Sequence, residues 1–554
     1  MADPMTDPPQ KKLEYEPIYK KWSVFSLFFF PALGGFIFGY DIGATSFVVV
    51  QLQSEAYSGV SWYSIVAESA LLQGIVTSGA VGGAFLASLL VFSMSESLGR
   101  RGEMLVASAL YLSGGLLQVL SAVNGLGMDL GITVLVSGRI VFGMGIGFAM
   151  HAAPIYISEM APSAVRGLLI SSKEGMIVVG MVAGYVFGDV FSHTPGGWAA
   201  TYALVPATTI AYACGVCFLP ESARWLGLTG RTVESLESLR FVYSSGAEGI
   251  AKEVEEVAQA SHPPPTAPSP GSPAAASAAA AYAQVLASGS DDDGNSSYQA
   301  RRPGADAVAK QTPLQVLFGP RVWPATLAGL GVITLQQITG QPSVLYYAET
   351  IFDQAGVSSS GTIGVAGFKL LCTLGSAFVV DSQGRRKMLI VGILLMMVAL
   401  SVITMYFAFE WDSDVTLILA MFVYVGGYQV GFGPMAWLLI SEIFPLSVRG
   451  EGMALAVQTN FFWNLVVTLS FSSEIKIIGA AWSFGIFLIL LVFSLVFVWR
   501  YVPETKGLTL EQIEAMLDSA TFSPAQRAAG KAKGNYEAVG LLDSDDGSPL
   551  SGPV

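Results

Sequence analysis

Apolar residues in this chain come in long unbroken runs rather than at alternating or every-third positions. Twelve runs can be drawn, at 23–48, 69–93, 104–123, 132–156, 168–189, 199–219, 323–350, 363–381, 388–409, 416–440, 452–472 and 478–501. Crossing a ~30 Å hydrocarbon core takes about 20 helical residues, so the pattern predicts an all-α integral membrane protein with twelve transmembrane helices. An even number places both termini on one side. The loops 51–68, 124–131, 190–198, 351–362, 410–415 and 473–477 hold one basic residue between them, Lys476. The opposite set holds Arg100, Arg101, Arg166, Arg224, Arg231, Arg240, Arg385, Arg386, Lys387 and Arg449, and the N-terminus adds Lys11, Lys12, Lys20 and Lys21. Positive residues stay inside, so both termini are expected in the cytosol.

Composition agrees with this reading. Of 554 residues, 52% are hydrophobic and 12% charged, with a mean hydropathy of +0.57. Soluble domains carry roughly 25% charged residues. A net charge of −13 offers no basic face for a nucleic acid. The three cysteines, Cys214, Cys217 and Cys372, lie in apolar stretches and exclude a disulfide framework. The start of the chain is polar and lacks a small-residue cleavage site, so the first span reads as a retained helix.

The organisation expected is a tail over 1–22, a six-helix half over 23–219, a loop over 220–322, a second six-helix half over 323–501 and a tail over 502–554. Within the loop, 231–258 mixes charged and apolar residues as short amphipathic helices do. A Pro/Ala/Ser-rich stretch at about 259–311 cannot bury enough apolar surface to fold. The Asn295 sequon falls in it and, on the cytosolic side, stays unmodified.

Three motifs occur twice. LGRRGEM at 98–104 answers to QGRRKML at 383–389, ISEMAPSAVRG at 157–167 to ISEIFPLSVRG at 440–450, and PESARW at 220–225 to PETKGL at 503–508. Each falls at the same end of corresponding helices, so the halves are parallel repeats. That is one plan of secondary transporters, which place a substrate site at the midplane between the halves.

These motifs resemble those of the sugar porter family of the major facilitator superfamily. The resemblance rests on Pro154, Tyr156, Glu159 and Arg166 of PxYxSE…RG, on PESxRW, on QQxxGQxxxxYY at 336–347, on GPxxW…SExFP…RG at 433–450 and on PETKG, and it covers roughly 24–517. Within the family, FPALGGFIFGYDIGATS and MHAAPIYISE look most like plant and algal xylose–proton-symporter-like proteins, which include vacuolar glucose transporters. The resemblance implies a monosaccharide carrier working by alternating access and coupled to protons, with no cofactor.

Charges inside apolar runs are costly and face a cavity or a partner. Asp41, late in the first span, and Arg139, near the start of the fourth, match the carboxylate–arginine pair of proton-coupled sugar porters. A nearby arginine lowers a carboxylate pKa and burial raises it, so changing access to Arg139 would load and unload a proton. The plainer alternative is a static ion pair. Glu174, beside Lys173, stands where relatives have a sugar-contacting Gln, and Lys369 where they have Asn. The two are expected to face each other across the cavity, against the alternative that they snorkel to an interface.

Sugars call for amides and hydroxyls with an aromatic face nearby. The seventh span offers Gln336, Gln337 and Gln341, with Tyr346 and Tyr347 about three turns along. Gln429 precedes a helix-breaking Gly433-Pro434, Trp437 follows it, and Asn460 and Asn464 are one turn apart in the eleventh span. All but Gln341, Tyr347 and Gln429 correspond to family sugar contacts. Pro342 stands where relatives often have another sugar-binding Asn. Amides that only join helices are the alternative.

By the same resemblance Arg100, Glu159, Arg166, Glu221, Arg385, Glu442, Arg449 and Glu504 form charge clusters across the cytosolic gap that latch the outward-facing state. Glu96 replaces the usual Asp of the first GRR loop, whereas Asp381 keeps it. Gly143, Gly145 and Gly147 read as small-residue helix packing rather than a dinucleotide loop, and Cys214 and Cys217 as packing rather than a metal or redox motif. His151 either titrates near neutrality or serves as a polar core residue, the second being the plainer reading. Glu537, Leu541 and Leu542 fit an acidic dileucine signal for sorting adaptors, with Tyr536…Val539 overlapping, and tilt the location toward a vacuolar or endosomal membrane. The competing functions are a facilitative sugar, polyol or inositol uniporter and a non-transporting sugar sensor. The intact GRR, PESAR and PETKG motifs speak against the sensor. An enzyme is not expected, because no nucleophile–base or metal constellation appears.

Overall fold

A computed structural model describes residues 19–123, 127–243, 313–320, 322–411, 413–445, 448–506, 508, 512, 513 and 516. The proline-rich stretch, the Asn295 sequon, the sorting motif of Glu537, Leu541 and Leu542, and the side chains of Glu96, Arg166 and Asp381 lie outside the described residues.

All twelve expected spans are helical. The first is Lys21–Gln53, the second Ala70–Val91, the third Ser97–Leu120, the fourth Met128–Met160, the fifth Ser163–Ser192 and the sixth Gly197–Phe218. The second and third form one helical run interrupted at Gly99, whose φ of 72° reverses the chain at little cost only for glycine. The eleventh and twelfth are likewise divided, within Arg449–Tyr501, at Gly479. The eighth is Ser360–Gln383 and the ninth Arg385–Ala408.

Two spans depart from a continuous helix. The seventh, read as unbroken over 323–350, is three pieces: Trp323–Ile338, Gln341–Tyr346 and Ala348–Gln354. The first break sits at Gly340, with φ 95°, where a Cβ would run into the Phe487 ring of the twelfth span. Tyr346 and Tyr347 therefore do not continue the helix that carries Gln336. The tenth span breaks into Asp414–Val430 and Phe432–Ile443 at Gly431, two residues ahead of the expected Gly433-Pro434. Pro434 falls in the first turn of the second piece, where a missing N–H costs nothing. Broken helices at membrane depth are tolerated where the freed backbone groups face protein or a cavity.

Within the N-terminal half the first span packs on the fifth, and the third on the fourth and sixth; in the C-terminal half the seventh packs on the eleventh and the ninth on the tenth. Close approach depends on small residues. A Cβ on Gly147 would meet Ala87, and one on Gly145 would meet Tyr111 at 2.9 Å, as the packing reading of the glycine motif expects. Cys214 and Cys217 are exposed on the sixth span instead of packed inside. Apolar side chains such as Leu371, Val398, Ile489 and Phe493 face outward, as lipid contact requires. After the sixth span a short helix, Thr232–Val242, follows PESAR and packs on Ala223–Leu228.

The halves meet along three seams: the first span with the pieces of the seventh, the second with the eleventh, and the fifth with the eighth. Hydrogen bonds across the seams gather at the end opposite the repeated motifs. Lys476 Nζ donates to the Glu68 carbonyl (2.6 Å), Ser472 Oγ to Gln73 Oε1 (2.7 Å), Tyr185 OH to the Leu345 carbonyl (2.6 Å) and the Glu349 amide to Ser46 Oγ (3.0 Å). Further toward the motifs, Gln458 Nε2 donates to the Ser88 carbonyl at 3.3 Å.

Candidate functional site

The centre of the N-terminal half is an ion pair sealed from solvent. Asp41 and Arg139 are both fully buried, and Arg139 Nη1 donates to Asp41 Oδ1. The rest of the guanidinium is held as well: Nε donates to the Val76 carbonyl at 3.0 Å and Nη2 to that of Thr77 at 3.1 Å. The Tyr202 ring lies under it, 5.6 Å from centroid to Cζ. Nothing equivalent restrains Asp41. Its Oδ1 is shared with Thr45 Oγ1 at 3.5 Å, and its Oδ2 has no hydrogen-bond partner. An arginine fixed by backbone and a carboxylate with a bare oxygen make an asymmetric pair in which the carboxylate is the member able to take a proton.

The C-terminal half presents amides. Gln336 Nε2 donates to the Phe432 carbonyl at 2.8 Å, at the break in the tenth span. Its Oε1 accepts from Asn460 Nδ2 and from Gln337 Nε2, both at 3.3 Å. One side chain thus joins the seventh, tenth and eleventh spans. Gln337 Oε1 is buried with no partner. Gln341 is buried and opens the second piece of the seventh span, and Gln429 is buried beside Gly433. Trp437 is half-buried nearly two turns beyond the break, and Asn464 Oδ1 accepts from Thr468 Oγ1 at 3.2 Å. Tyr347 is committed elsewhere, its hydroxyl donating to the Thr468 carbonyl at 3.2 Å.

Tyr346 links the two groups. It comes from the C-terminal half and is buried, its hydroxyl has no hydrogen-bond partner, and it interacts electrostatically with Asp41 and Arg139. The helix break at Gly340 redirects the chain so that Tyr346 reaches the N-terminal half.

Glu174 and Lys369 come from spans that pack together across the seam, but they do not form a direct pair. Glu174 lies 3.2 Å from Lys173 Nζ, with its side chain 47% exposed. Lys369 is buried over the Tyr428 ring, 5.5 Å from the centroid, and feels Glu174 electrostatically without contact. An aromatic face is a sufficient partner for an ammonium, which removes the need for a carboxylate.

The motif charges form two matching clusters, each inside its own half rather than across the gap. In one, Arg100 donates to Glu159 (3.3 Å), which also accepts from Ser222 Oγ (2.5 Å), and Glu221 accepts the Arg101 backbone N–H at 3.0 Å. In the other, Arg385 donates to Glu442 (2.9 Å), which accepts from Thr505 Oγ1 (2.6 Å), and Glu504 accepts the Arg385 backbone N–H at 2.9 Å. Glu221 and Glu504 each sit against a positive-φ glycine, Gly99 or Gly384, where a Cβ would collide with the carboxylate. Arg449 donates to the Phe444 carbonyl at 3.2 Å. Every ion pair among the described residues stays within one half. The reason is local. Glycine reversals at Gly99 and Gly384 bring each arginine back over its own half.

Sequence reading passed over Tyr202 and Thr45, which bond each other at 3.2 Å beside the ion pair. A tyrosine or threonine in a membrane helix is too ordinary to stand out.

Comparison with known proteins agrees with this arrangement. The family model for the sugar (and other) transporters matches residues 27–264 and 277–517. The D-xylose-proton symporter-like 2 protein of Arabidopsis thaliana is 39% identical over 508 residues, 88% of this chain and 90% of its own length. The chloroplastic D-xylose-proton symporter-like 3 protein of the same plant is 38% identical over 500 residues, 89% of this chain and 82% of its own length. Among solved structures, the inward-open xylose transporter XylE from E. coli superposes with a TM-score of 0.67 at 25% identity, covering 89% of this chain and 99% of its own. Two six-helix halves, the repeated motifs and these matches together place the chain in the sugar (and other) transporter family, as a multi-pass membrane transporter of the major facilitator fold and not an enzyme.

Proposed function

We propose that this protein carries a monosaccharide, xylose or a hexose such as glucose, by alternating access coupled to protons. The observation that carries the reading is the buried Asp41–Arg139 pair, whose Oδ2 has no hydrogen-bond partner. Protonation of Asp41 removes the charge that holds Arg139 Nη1, leaving the arginine on its two carbonyl anchors. The seam between the first and seventh spans then gains or loses a charge according to the state of Asp41. A bistable interface converts such a local change into movement of one half against the other. Sugar bound on Gln336, Gln337, Gln341, Gln429, Trp437, Asn460 and Asn464 engages the same seam through Tyr346. The relatives named as xylose–proton symporter-like support both the sugar class and the proton.

In the same reading the motif-bearing face and both termini are cytosolic, following the arginine and lysine bias. Hydrogen bonds between the halves gather at the opposite end, which supports a reading in which the clusters of Arg100, Glu159 and Glu221 and of Arg385, Glu442 and Glu504, with Arg166 and Arg449, come together in the outward-facing state. The divisions at 1–22, 23–219, 220–322, 323–501 and 502–554 are part of the proposal. So is a vacuolar or endosomal residence directed by Glu537, Leu541 and Leu542 through sorting adaptors; replacing the three by alanine should move a fluorescent fusion out of that membrane.

The test is uptake of labelled xylose and glucose into proteoliposomes with and without an imposed pH gradient. Accumulation above equilibrium only with the gradient is the expected result. Equilibration indifferent to pH overturns proton coupling, and no uptake of either sugar overturns the substrate class.

A further inference from the structure

A second buried titratable pair lies in the N-terminal half, one turn inside the Arg100–Glu159 cluster. Glu103 of the third span is fully buried, its Oε2 is 2.7 Å from His151 Nδ1 of the fourth span, and its Oε1 has no hydrogen-bond partner. The His151 side chain keeps 19% exposure. A bare carboxylate oxygen at one end and a partly accessible imidazole at the other give the pair a place to receive a proton and a place to release one.

Two buried tyrosines, Tyr111 and Tyr212, stand beside Gly34 of the first span. Tyr111 OH donates to the Gly34 carbonyl at 3.1 Å. The Tyr212 hydroxyl approaches the same residue, 3.3 Å from where a Gly34 Cβ would stand, and has no hydrogen-bond partner. The two rings meet edge to face, 6.3 Å apart. Tyr111 interacts electrostatically with Asp41, and Tyr212 with Glu103. Gly34 precedes Asp41 by two turns of the first span, about 10 Å. The other charges near the pair are already engaged: Arg139 with Asp41 and two carbonyls, and Arg100 with Glu159. A static structural pair would not need a buried unpartnered carboxylate oxygen beside a buried unpartnered tyrosine hydroxyl, because each such group is costly.

We propose that Glu103 and His151 form a second proton-binding site, which receives the proton given up by Asp41 and releases one from the imidazole toward the motif-bearing face. In the step one proton leaves Asp41 Oδ2, one is gained by the pair and one departs from His151, so charge balances without an added reactant. Histidine is suited to the outer position because its charge changes near neutral pH. The proposal rests on the proton-coupled reading above.

The experiment compares the full-length wild type with Glu103→Gln, His151→Asn and Asp41→Asn in proteoliposomes. It measures gradient-driven accumulation of labelled xylose and, separately, counterflow at equal pH, which exchanges sugar without net proton movement. Glu103→Gln should lose gradient-driven accumulation with counterflow preserved. His151→Asn should shift the pH of half-maximal accumulation. Wild-type behaviour in both variants, or loss of counterflow together with accumulation in both, overturns the site. Infrared difference titration of the purified protein supplies a readout independent of transport. A carboxyl band that titrates in wild type and Asp41→Asn, is missing in Glu103→Gln and moves in His151→Asn is expected; its absence overturns the site even if transport is proton-driven. Failure of the wild type to accumulate sugar, with that band present, overturns the coupled reading alone.

Discussion

The two halves repeat one another in fold and in motifs but not in what they bury. At the centre of the N-terminal half lie Asp41 and Arg139, with Glu103 and His151 nearer the motifs. At the centre of the C-terminal half lie Gln336, Gln337 and Asn460, joined by amide hydrogen bonds, with Gln429 buried near the break in the tenth span. The motif clusters, in contrast, repeat the same ion pair and the same hydroxyl contact, Arg100–Glu159–Ser222 against Arg385–Glu442–Thr505. Scaffold and gate are thus common to both repeats, while the central chemistry is divided. Charges answer to protons and neutral amides answer to hydroxyl groups. Housing them in separate halves lets each be tuned without disturbing the other, provided that one residue spans the seam, and Tyr346 occupies that place.

The difference is broken hardest by unbalancing the charged half. Arg139→Leu leaves Asp41 buried without its partner, and removing one member of a buried pair costs about 3–5 kcal/mol. We expect a large fall in Tm of the detergent-solubilised protein, partly restored when Asp41→Leu is added. Asp41→Asn alone should keep the fold, because the arginine retains the Val76 and Thr77 carbonyls. If Arg139→Leu is as stable as wild type, the pair is not sealed as described.

A smaller effect is expected from the amide half. Gln336→Ala leaves the Phe432 carbonyl and Asn460 without a partner, and such losses cost about 1–3 kcal/mol each. The expected result is a rise of about tenfold or more in the sugar concentration needed for half-maximal counterflow, 1.4 kcal/mol being one decade. The pH profile should not move. A shift in that profile with Gln336→Ala would mean that sugar and proton functions are not divided between the halves.

The matched clusters sharpen the comparison from the other side. In a double-mutant cycle of Arg100→Ala with Glu159→Ala, thermal unfolding should reveal a coupling of about 1 kcal/mol, because contacting charges interact. The cycle Arg100→Ala with Glu442→Ala should show less than about 0.5 kcal/mol in the conformation described, as separated sites do. The opposite ranking would place the clusters across the gap after all.

Much of this was legible beforehand, for reasons that lie in particular residues. Spans are one-dimensional signals of apolar length, and the GRR and SE…RG repeats survive as short strings. Asp41 and Arg139 stand out because charge is rare in such runs. The breaks at Gly340 and Gly431 were not legible or were displaced, because glycines are common in these helices and only the Phe487 ring and the neighbouring backbone decide which of them turns. The motif arginines were expected to pair across the gap but pair within each half, since both choices satisfy the same charges. Glu103 was invisible for another reason. It follows Gly-Arg-Arg-Gly at the edge of a span, where a carboxylate is unremarkable, and only burial against His151 gives it meaning.

The least effect is expected where sequence reading anticipated a bridge between the halves. Glu174 rests on Lys173 at an exposed position, and Lys369 rests on Tyr428. Glu174 is exposed and makes no ion pair with the buried Lys369, so solvent at the carboxylate screens the interaction. A cycle of Glu174→Gln and Lys369→Met, read as xylose affinity in counterflow, should show coupling below about 0.5 kcal/mol. The charge swap Glu174→Lys with Lys369→Glu should fail to rescue either single variant, because the carboxylate introduced by the second change would face the electron-rich Tyr428 ring rather than a cation. Tyr428→Leu should weaken the site more than Glu174→Gln, since it removes the face on which the ammonium sits. Rescue by the swap would instead join the halves through charge as well as through Tyr346, and the division between an ionic half and an amide half would no longer hold at this seam.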